Sequence, residues 1–524
     1  MATPLPTQPQ KAPMSEPGVV VVGAGMAGLV SALLLAQRGV RVTVVDSADN
    51  PGGKMRQLQV DGAAIDSGPT VFTMRWVFDR IFDAAGTSVA RELNISPLSV
   101  LARHAWADGS RLDLHADPQQ SIQAVAEFAG PDEAQRFERF CQQARLVHDT
   151  LEGPFIRSPS PTLLQMARAL GPSGLRVLLG MGVMPSLWRS LGQHFRDPRL
   201  QQLFGRYATY CGSSPWQAPA TLMLIAQVEM DGVWSVHGGM HALAQCLARL
   251  GAQRGVQFRY GESVQTIITS QGRASGVQLA SGETIAAQAV VFNGDVAALR
   301  AGLLGGGALP QAVTGRAPQR SLSAITWSIN APTSGFALER HNVFFQADYA
   351  SEFSDIFGRA RLPQQPTVYV CAQDRGLADT PTGPERLLCL VNAPALGDSD
   401  NITPEAIDQC EQASFQWLQR CGLQVSLQAH NHVRTTPAQF HQLFPATGGA
   451  LYGQATHGWM SAFARSNSAS RIPGLFLAGG SVHPGPGVPM AALSGQLAAE
   501  AVMAHRALTK RFHPVPTSGG MSTP

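Results

Sequence analysis

Three glycines near the start of the chain have the spacing of a dinucleotide-binding loop. Gly23, Gly25 and Gly28 follow a β-branched run at 18–22. In such a loop the first glycine permits a tight turn, the second lets the backbone approach a pyrophosphate, and the third lets helix and strand pack closely. Asp46, at the end of the next apolar run, is the carboxylate expected to bind ribose hydroxyls. Together these residues predict a dinucleotide site.

A second glycine pair favours a flavin over a nicotinamide. Gly52, Gly53 and Lys54 come just after the ribose-binding acid. They are expected to place bare backbone and a positive charge over the diphosphate, where a nicotinamide dehydrogenase would continue into another βαβ unit. The alternative is that the pair forms only a loop and that Lys54 is a solvated charge.

The elements around the loop are expected to form a βαβ unit. The run at 18–22 predicts a fully buried parallel strand, residues 29–37 predict a helix that ends at Gly39, and VRVTVVD predicts a second buried strand. The phosphate would then meet unpaired backbone N–H groups and the positive end of the helix dipole.

Two later segments supply the rest of the nucleotide lobe. From Trp234 the pattern predicts a helix, a strand at 256–260, hairpin turns at 271–272 and 281–282, and a buried strand in AVVFN. The last segment, GLFLAGGSVHPGPGVPMAALSG, predicts a strand, a glycine-rich loop and a helix with Pro489 in its first turn. The N-terminus of that helix can stabilise negative charge on a flavin.

Several stretches are more specific than the nucleotide pattern. The region after Asp46 resembles the flavoprotein superfamily of amine oxidases and carotenoid desaturases, in which the Gly-Gly-cation element belongs to the FAD site. DSGPTVFTMRWVFDRIF, RYATYCGSSPWQAPATLMLI, VHGGMHAL and GGSVHPGPGVPMAALSG resemble the bacterial phytoene desaturase family. Within it, GPTVFTMRWVFD and AGGSVHPGPGVPMAALSG are most similar to the hydroxyneurosporene or methoxyneurosporene desaturases of purple photosynthetic bacteria, which introduce a C3–C4 double bond.

This resemblance implies an α/β fold: a Rossmann-like FAD-binding lobe of the amine-oxidase and phytoene-desaturase type, with an interleaved α+β substrate lobe. The FAD lobe is assigned to 18–90, 231–300 and 440–510, and the substrate and membrane-contact lobe to 91–230 and 301–439, with disordered tails at 1–17 and 511–524. Besides the residues above, the expected FAD contacts are Gly68, Pro69, Thr70, Val264, Gly480, Ser481, Gly487, Val488, Pro489 and Met490.

One position departs from the superfamily pattern. Many of these flavoproteins place an acidic residue in the carboxyl-terminal loop to bind the ribityl chain, whereas Gly480 and Ser481 stand here. Either the Ser481 hydroxyl or backbone N–H groups are expected to make that contact, or the flavin is held less tightly and dissociates more readily.

The expected reaction removes hydride and a proton from adjacent carbons of an acyclic C40 carotenoid, with FAD as cofactor and oxygen or a quinone as electron acceptor. Because the cofactor supplies most of the chemistry, few catalytic side chains are needed. His483 in the flavin loop and His237 beside Gly238 are candidates to receive the proton or steady a cation, and Arg75 to guide the substrate or contact the flavin. The alternatives are structural hydrogen bonds for the histidines and a surface or lobe-bridging role for Arg75.

The composition of the chain argues against nucleic acid, metal ions and a membrane span. The net charge of +3 and a pI of about 8.5 are too mild to indicate nucleic acid. The seven cysteines form no C-x-x-C pair, which favours reduced thiols and no metal site. No apolar run is long enough to span a bilayer, and the N-terminus lacks the pattern of a secretory signal. A cytoplasmic protein is therefore expected.

A basic segment is a candidate for membrane contact. Residues 153–196 contain no acidic residue, and five arginines, at 157, 168, 176, 189 and 196, stand among Leu, Met and Trp. This composition suits an interfacial helix that contacts anionic headgroups, peripherally on the inner photosynthetic membrane. The alternative is an ordinary amphipathic core helix.

Substrate choice and reaction class stay open at the level of sequence. An apolar tunnel gains about 0.8 kcal/mol per buried CH₂ and distinguishes polyenes poorly. A site that hydrogen-bonds a hydroxyl can reject the analogue lacking it by roughly 10⁴. A polar residue at the tunnel end is therefore expected, although the sequence does not identify it. The competing activities are phytoene desaturase, carotenoid isomerase, flavin amine oxidase and a non-catalytic prenyl-binding escort.

Overall fold

A computed structural model describes residues 17–162, 165, 168, 171, 186–307, 309–313, 318–376, 383–458 and 460–512. Most of both predicted tails, and most of residues 163–185 including Arg176, lie outside the described residues. The strands in the described residues are β1 (Gly18–Val22), β2 (Val42–Val45), β3 (Gln57–Val60), β4 (Ala63–Asp66), β5 (Ile95–Pro97), β6 (Val100–Ala105), β7 (Arg111–His115), β8 (Trp234–Val236), β9 (Gln257–Arg259), β10 (Val264–Ser270), β11 (Arg273–Leu279), β12 (Thr284–Phe292), β13 (Ser323–Ala331), β14 (Thr333–Ser334), β15 (His341–Phe344), β16 (Val368–Ala372), β17 (Glu385–Ala393), β18 (Gln424–Val425), β19 (His432–Thr435) and β20 (Leu475–Leu477).

The helices in the same residues are α1 (Met26–Gln37), α2 (Arg75–Ala84), α3 (Val89–Glu92), α4 (Pro118–Ala129), α5 (Pro131–Leu151), α6 (Leu187–His194), α7 (Pro198–Gly205), α8 (Leu224–Met230), α9 (Met240–Gln253), α10 (Val296–Arg300), α11 (Tyr349–Phe353), α12 (Pro404–Arg420), α13 (Pro437–Leu443) and α14 (Val488–Phe512). Short 3₁₀ turns lie at Arg206–Cys211, Ala220–Met223, Leu309–Ala312 and Ser461–Ala464, and π turns at Glu152–Ile156 and Ser354–Gly358.

The first sheet has the strand order β10-β11-β12-β1-β2-β9, and β20 also pairs with β12. β1 lies between β2 and β12, parallel to both, and β20 is parallel to β12. All its strands fall within 18–90, 231–300 and 440–510. The predicted βαβ unit is confirmed, although α1 begins at Met26 rather than at residue 29, because Gly25 is its N-cap and Gly28 lies in its first turn.

The helix α1 is buried on all sides, from Met26 to Ala36. It packs against both α9 and α14, so that elements from three distant parts of the chain share one core. This explains why α1 has no polar face: a helix with neighbours all round is apolar all round. The hairpin turn predicted at 271–272 is also confirmed, between β10 and β11.

The second sheet has the order β19-β13-β17-β16-β15-β6-β7, and all its strands fall within 91–230 and 301–439. Successive side chains of a strand point to opposite faces, so this sheet has two differently covered faces. One face forms a core that includes Trp327 and Trp417, from β13 and α12. The other includes Val343 and Phe345 and packs on helices α5 to α8.

Candidate flavin site and adjoining lobe

The first glycine loop leaves no room for side chains. Gly23 has a φ of +100°, which favours glycine. A Cβ on Gly28 would overlap the Gly23 carbonyl oxygen, and a Cβ on Gly25 would lie 2.9 Å from Asn293 Nδ2. Asn293 Nδ2 also donates to the Gly23 carbonyl oxygen at 3.1 Å. The loop is therefore bare backbone that is held by a hydrogen bond from the Asn293 side-chain amide.

Asp46 lies at the carboxyl end of β2 and faces the same loop. Its Oδ2 accepts from the Ala24 N–H at 2.6 Å and its Oδ1 from the Ala48 N–H at 2.8 Å. A carboxylate oxygen accepts more than one hydrogen bond, so this fixed group can still receive ribose hydroxyls. The chain leading to Val264 passes beside it, because the Glu262 N–H donates to the Asp46 carbonyl at 3.0 Å.

The second glycine pair lies against the first loop. The Gly52 N–H donates to the Ala24 carbonyl at 2.9 Å, and a Cβ on Gly53 would lie 3.1 Å from the Gly25 Cα. The backbone approach predicted from the sequence is therefore present. It brings the two glycine-rich segments into direct contact.

The Lys54 side chain contacts a distant part of the protein. Its Nζ donates to the Leu451 carbonyl at 2.7 Å and lies 5.2 Å from the Phe444 ring centroid. The charge therefore binds the carboxyl-terminal third of the chain, and its place over the diphosphate stays a prediction. Burial lowers the Lys54 pKa, and the negative charge of Asp295 opposes that shift.

The last predicted segment joins the same site. The Ala478 N–H donates to the Phe292 carbonyl at 2.9 Å, and a Cβ on Gly495 would overlap the Ala27 carbonyl at the start of α1. Gly487 has a φ of +111° just before α14, whose second residue is Pro489. Because β20 is parallel to β12 and β12 to β1, the loop at Gly480 follows β20 at the edge of the sheet that carries the glycine loop, and the start of α14, with Val488 and Met490, comes after it.

Ser481, which stands where many of these flavoproteins have an acidic residue, is buried and hydrogen-bonded. Ser481 Oγ accepts from the Val296 N–H at 3.2 Å, which leaves its hydroxyl hydrogen as a donor. The neighbouring Gly480 carbonyl accepts from Arg465 Nη1 at 3.2 Å.

The turn at Gly68, Pro69 and Thr70 joins the two lobes. A Cβ on Gly68 would overlap the Lys54 carbonyl oxygen, which explains the glycine. Thr70 Oγ1 and the Tyr369 hydroxyl on β16 are 2.7 Å apart. The turn therefore contacts the glycine-pair segment on one side and the second sheet on the other.

Three polar residues of the site were not predicted from the sequence. Asn293 carries a weak local signal, since it ends a buried strand and precedes a glycine. Arg465 donates to several backbone carbonyls of the flavin loop region, and burial lowers its pKa to about 10. Asp66 accepts from the Met240 N–H at the start of α9, and burial raises its pKa against that hydrogen bond. For Arg465 and Asp66, the neighbouring residues in the sequence give no indication of a role in the site.

The position of His483 favours the structural alternative. Its Nε2 donates to the Ser158 carbonyl at 2.8 Å, and its ring meets Phe155 edge-on at 5.2 Å. It is 1 % exposed, and burial lowers its pKa to about 4. A neutral imidazole that ties the flavin loop to residues 155–158 follows from these contacts.

Neither of the other two catalytic candidates reaches the glycine loops. His237 is exposed and lies 3.0 Å from Ser96 Oγ. Arg75 pairs with Asp79 one helical turn away, at 3.4 Å, and both side chains are more than one-third exposed. The first side chain contacts β5 and the second pairs within α2, which favours the structural and surface alternatives; the catalytic roles stay predictions.

The cradle fits a dinucleotide. Bare backbone at two glycine-rich loops, a fixed carboxylate and the N-termini of α1 and α14 lie at one edge of the first sheet, which suits a diphosphate flanked by ribose and an electron-accepting ring. Among the described residues there is no cluster of three metal-ligating side chains.

Comparison with known families gives the class of protein. Residues 26–503 match the family described as flavin containing amine oxidoreductase. The chain belongs to this family and is an FAD-dependent oxidoreductase.

Three relatives narrow the comparison. The chain is 61 % identical to hydroxyneurosporene desaturase of Rubrivivax gelatinosus, over 98 % of each chain. It is 45 % identical to hydroxyneurosporene desaturase of Cereibacter sphaeroides, over 94 % of this chain and 99 % of that one. It is 29 % identical to 1-hydroxycarotenoid 3,4-desaturase of a Flavobacterium species, over 92 % and 98 %. The resemblance stated from the sequence is confirmed.

Solved structures share the fold. Putrescine oxidase, in a redesigned variant, matches 93 % of this chain and 99 % of its own with a TM-score of 0.61 at 15 % identity. Cyclohexylamine oxidase of Brevibacterium oxydans matches 94 % and 100 % with a TM-score of 0.56 at 15 % identity. The predicted two-lobed flavoprotein fold is confirmed.

Substitution of Gly25 tests the cradle. The Gly25→Ala variant is expected to bind FAD at least about tenfold more weakly, because its methyl group blocks the approach of the diphosphate. The folded protein is expected to survive, since only the Asn293 amide at 2.9 Å must shift. The flavin absorbance of purified protein and FAD titration measure this. Gly306→Ala is the matched control, because no atom lies within 4 Å of its added Cβ; equal flavin content in the two variants would contradict the assignment.

Substitution of His483 distinguishes a structural role of this residue from a catalytic one. A histidine with a folded pKa of about 4 against an ordinary 6.5 stays neutral when folded, so its stabilisation is full above pH 6.5 and is lost as pH falls towards 4. His483→Gln keeps a donor for Ser158 and is expected to reduce the loss of stability between pH 7 and 5 by about 2 kcal/mol. Thermal midpoints at the two pH values measure it. Turnover should persist with FAD bound; a loss of turnover at full flavin content would restore the catalytic reading.

Proposed function

We propose that the protein is an FAD-dependent carotenoid desaturase that introduces the C3–C4 double bond into 1-hydroxyneurosporene or its methoxy derivative. The observation that carries this is the 61 % identity to hydroxyneurosporene desaturase along 98 % of both chains. The complete glycine cradle is consistent with it, because a protein that only bound prenyl chains would not need that bare backbone.

The second lobe suits a long apolar substrate. The core between its sheet and the covering helices is rich in aromatic side chains, among them Phe204, Tyr207, Trp216, Phe345, Tyr349 and Phe353. The aromatic contacts continue to the flavin loop, because Phe155 touches both Phe463, at 5.4 Å, and His483. An apolar, aromatic-lined route from the second lobe to the flavin is what a polyene requires.

These surroundings assign separate roles to the cofactor and to the protein. When bound, FAD supplies the two-electron oxidation. The glycine loops and the start of α14 hold it, and the aromatic side chains of the second lobe bind and orient the polyene and exclude water. The carbon–hydrogen bonds to be broken are thereby held in a dry environment.

Product analysis tests this function. The protein, loaded with FAD in liposomes that carry 1-hydroxyneurosporene, is expected to give a product lighter by two hydrogens with a red-shifted absorption spectrum. Oxygen, or a quinone under argon, serves as electron acceptor because two electrons leave the substrate. Gly25→Ala is the flavin-poor control. An isomer of unchanged mass would indicate an isomerase, oxidation of an amine but of no carotenoid would indicate an amine oxidase, and phytoene turnover alone would indicate an earlier desaturation step.

We also propose that the protein contacts the membrane surface through residues 153–196. The described arginines of this segment, at 157, 168, 189 and 196, are all exposed. Arg157 lies 4.2 Å from the Trp76 ring centroid, which joins a cation and an aromatic ring as interfacial segments do. In the part of the chain that the structure describes, no helix is long and apolar enough to cross a bilayer.

Charge reversal tests the membrane contact. Arg168→Glu combined with Arg189→Glu is expected to weaken binding to anionic liposomes by about 10- to 100-fold, since each basic residue near such a surface contributes about 1 kcal/mol. Co-sedimentation measures it, with neutral liposomes as the lipid control. Arg38→Glu combined with Arg420→Glu is the matched protein control, because both residues are exposed at the carboxyl ends of other helices. Equal binding by the two double variants would contradict the proposal.

A further inference from the structure

A buried polar cluster lies between the second sheet and the helices that cover it. Arg206 and Glu229 are 6 % and 4 % exposed. The Tyr207 hydroxyl donates to Glu229 Oε2 at 2.6 Å, and the Tyr210 hydroxyl to Oε1 at 2.8 Å. Arg206 Nη1 donates to the Tyr210 oxygen at 2.6 Å. Glu229 is thus fully engaged. The Arg206 guanidinium forms an ion pair with it, Nη2 to Oε2 at 3.9 Å, and lies over the Tyr207 and Tyr210 rings, but its Nε and Nη2 make no hydrogen bond.

Three side chains at this place have unused hydrogen-bonding atoms. Among the described residues, Arg206 Nε and Nη2, His104 Nε2 and His341 Nε2 are buried and have no hydrogen-bond partner. His104 is 0 % and His341 3 % exposed. Unpaired buried polar atoms are costly, so several in one place indicate a ligand that pairs with them.

The strand register places these side chains on one face. His104 on β6 and Tyr369 on β16 both pair with Val343 on β15, so the three point to the same side of the sheet. His341, two residues before Val343, shares that side and stacks on Tyr369 at 6.1 Å. This is the side covered by the aromatic helices.

Arg206 approaches the same face from the helical side. Gln202 on α7 accepts from Trp106 Nε1 at 2.9 Å and donates to the Gln346 carbonyl at 2.6 Å. The Trp106–Gln202 hydrogen bond joins the two segments. Arg206 lies one helical turn after Gln202, and His104 lies two residues before Trp106. The positive charge of Arg206 adds to burial in lowering the pKa of both His104 and His341.

The cluster lies between two segments of the flavin cradle. On one side the Tyr369 hydroxyl, which is 2.7 Å from His341 Nδ1, is also 2.7 Å from Thr70 in the turn after Gly68. On the other side, Gly212 lies two residues after Tyr210 and packs closely on Tyr452, because a Cβ added to Gly212 would lie 2.8 Å from the Tyr452 ring. The Cβ of an alanine at the next residue, Gly453, would lie 2.8 Å from the Ser481 Cβ.

The free atoms have the polarity that an alcohol requires. His104 Nδ1 lies 3.1 Å from the Leu112 carbonyl oxygen, which only accepts, so Nδ1 carries the hydrogen and Nε2 is an acceptor. Arg206 offers only donors. A hydroxyl group accepts one hydrogen bond and donates another, so it complements this pair, whereas an ether oxygen complements Arg206 alone.

The proposed reaction places the substrate hydroxyl near the flavin. In a 1-hydroxy carotenoid the oxygen on C1 is three covalent bonds from C3, a distance of about 3 to 4 Å. The group that recognises it must therefore lie beside the reacting carbons rather than at a remote tunnel end. The cluster between Thr70 and the flavin loop meets this requirement.

We propose that Arg206 and His104 recognise the 1-hydroxy group of the carotenoid, Arg206 by donating to its oxygen and His104 by accepting its hydrogen. This inference rests on the proposed function. A substrate without the oxygen would leave a buried Arg206 donor and His104 Nε2 without a hydrogen-bond partner, so the enzyme is expected to prefer the hydroxylated substrate over neurosporene by orders of magnitude.

The test compares three substrates that differ only at C1: 1-hydroxyneurosporene, its methoxy derivative and neurosporene. Dissociation constants come from tryptophan quenching and kcat/KM from product absorbance. The variant Arg206→Met with Glu229→Gln removes the buried charges together and is expected to reduce the preference for 1-hydroxyneurosporene over neurosporene at least about 100-fold in both constants. Arg103→Met is the matched control, because Arg103 neighbours His104 on β6 but points to the opposite face and pairs with Asp113 at 2.6 Å.

His104→Asn provides a second, independent variant. Its amide keeps a donor for the Leu112 carbonyl and loses the Nε2 acceptor, so the preference for the hydroxy over the methoxy substrate is expected to fall about tenfold or more. Preferences equal to wild type in both variants, at normal flavin content and thermal midpoint, would overturn the assignment, as would a wild type that does not distinguish neurosporene. Selective binding without loss of two hydrogens would instead refute the proposed function and leave hydroxyl recognition standing.

Discussion

The contact between two stretches of bare backbone is the constraint on which the rest of the structure depends. Gly53 lies against Gly25, and the first loop has no space for a Cβ at Gly28. Any side chain there would separate β1 from α1 or fill the place of a diphosphate. Because α1 is in turn enclosed by α9 and α14, the geometry of this small loop fixes how distant segments of the first lobe meet.

Buried cations join the cradle to the carboxyl-terminal part of the chain. Lys54 and Arg465 donate mainly to backbone carbonyls of residues 451–454 and of Gly480, and burial lowers the pKa of both. The negative charge of Asp295 partly compensates each of them. These hydrogen bonds tie the glycine-pair segment and the loop at Gly480 to residues 451–454.

The second sheet separates two kinds of interior. Its α12 side is a core in which Trp327 and Trp417 pack with aliphatic residues. Its other side combines aromatic rings with the buried Arg206, Glu229 and His104. Burial of such groups has a high energetic cost, so their presence on the face nearest the cradle indicates function rather than stability.

The sequence by itself determined the elements whose signals lie within about 30 residues. The βαβ unit around Gly23, the hairpin at 271–272 and the helix started by Pro489 were predicted in this way and are confirmed, because turn chemistry and apolar periodicity are local. The tertiary structure alone decided which side chains point where. Lys54 binds residue 451, His483 binds residue 158, and Arg206 faces strands more than 100 residues away on either side, since each orientation depends on partners from other segments.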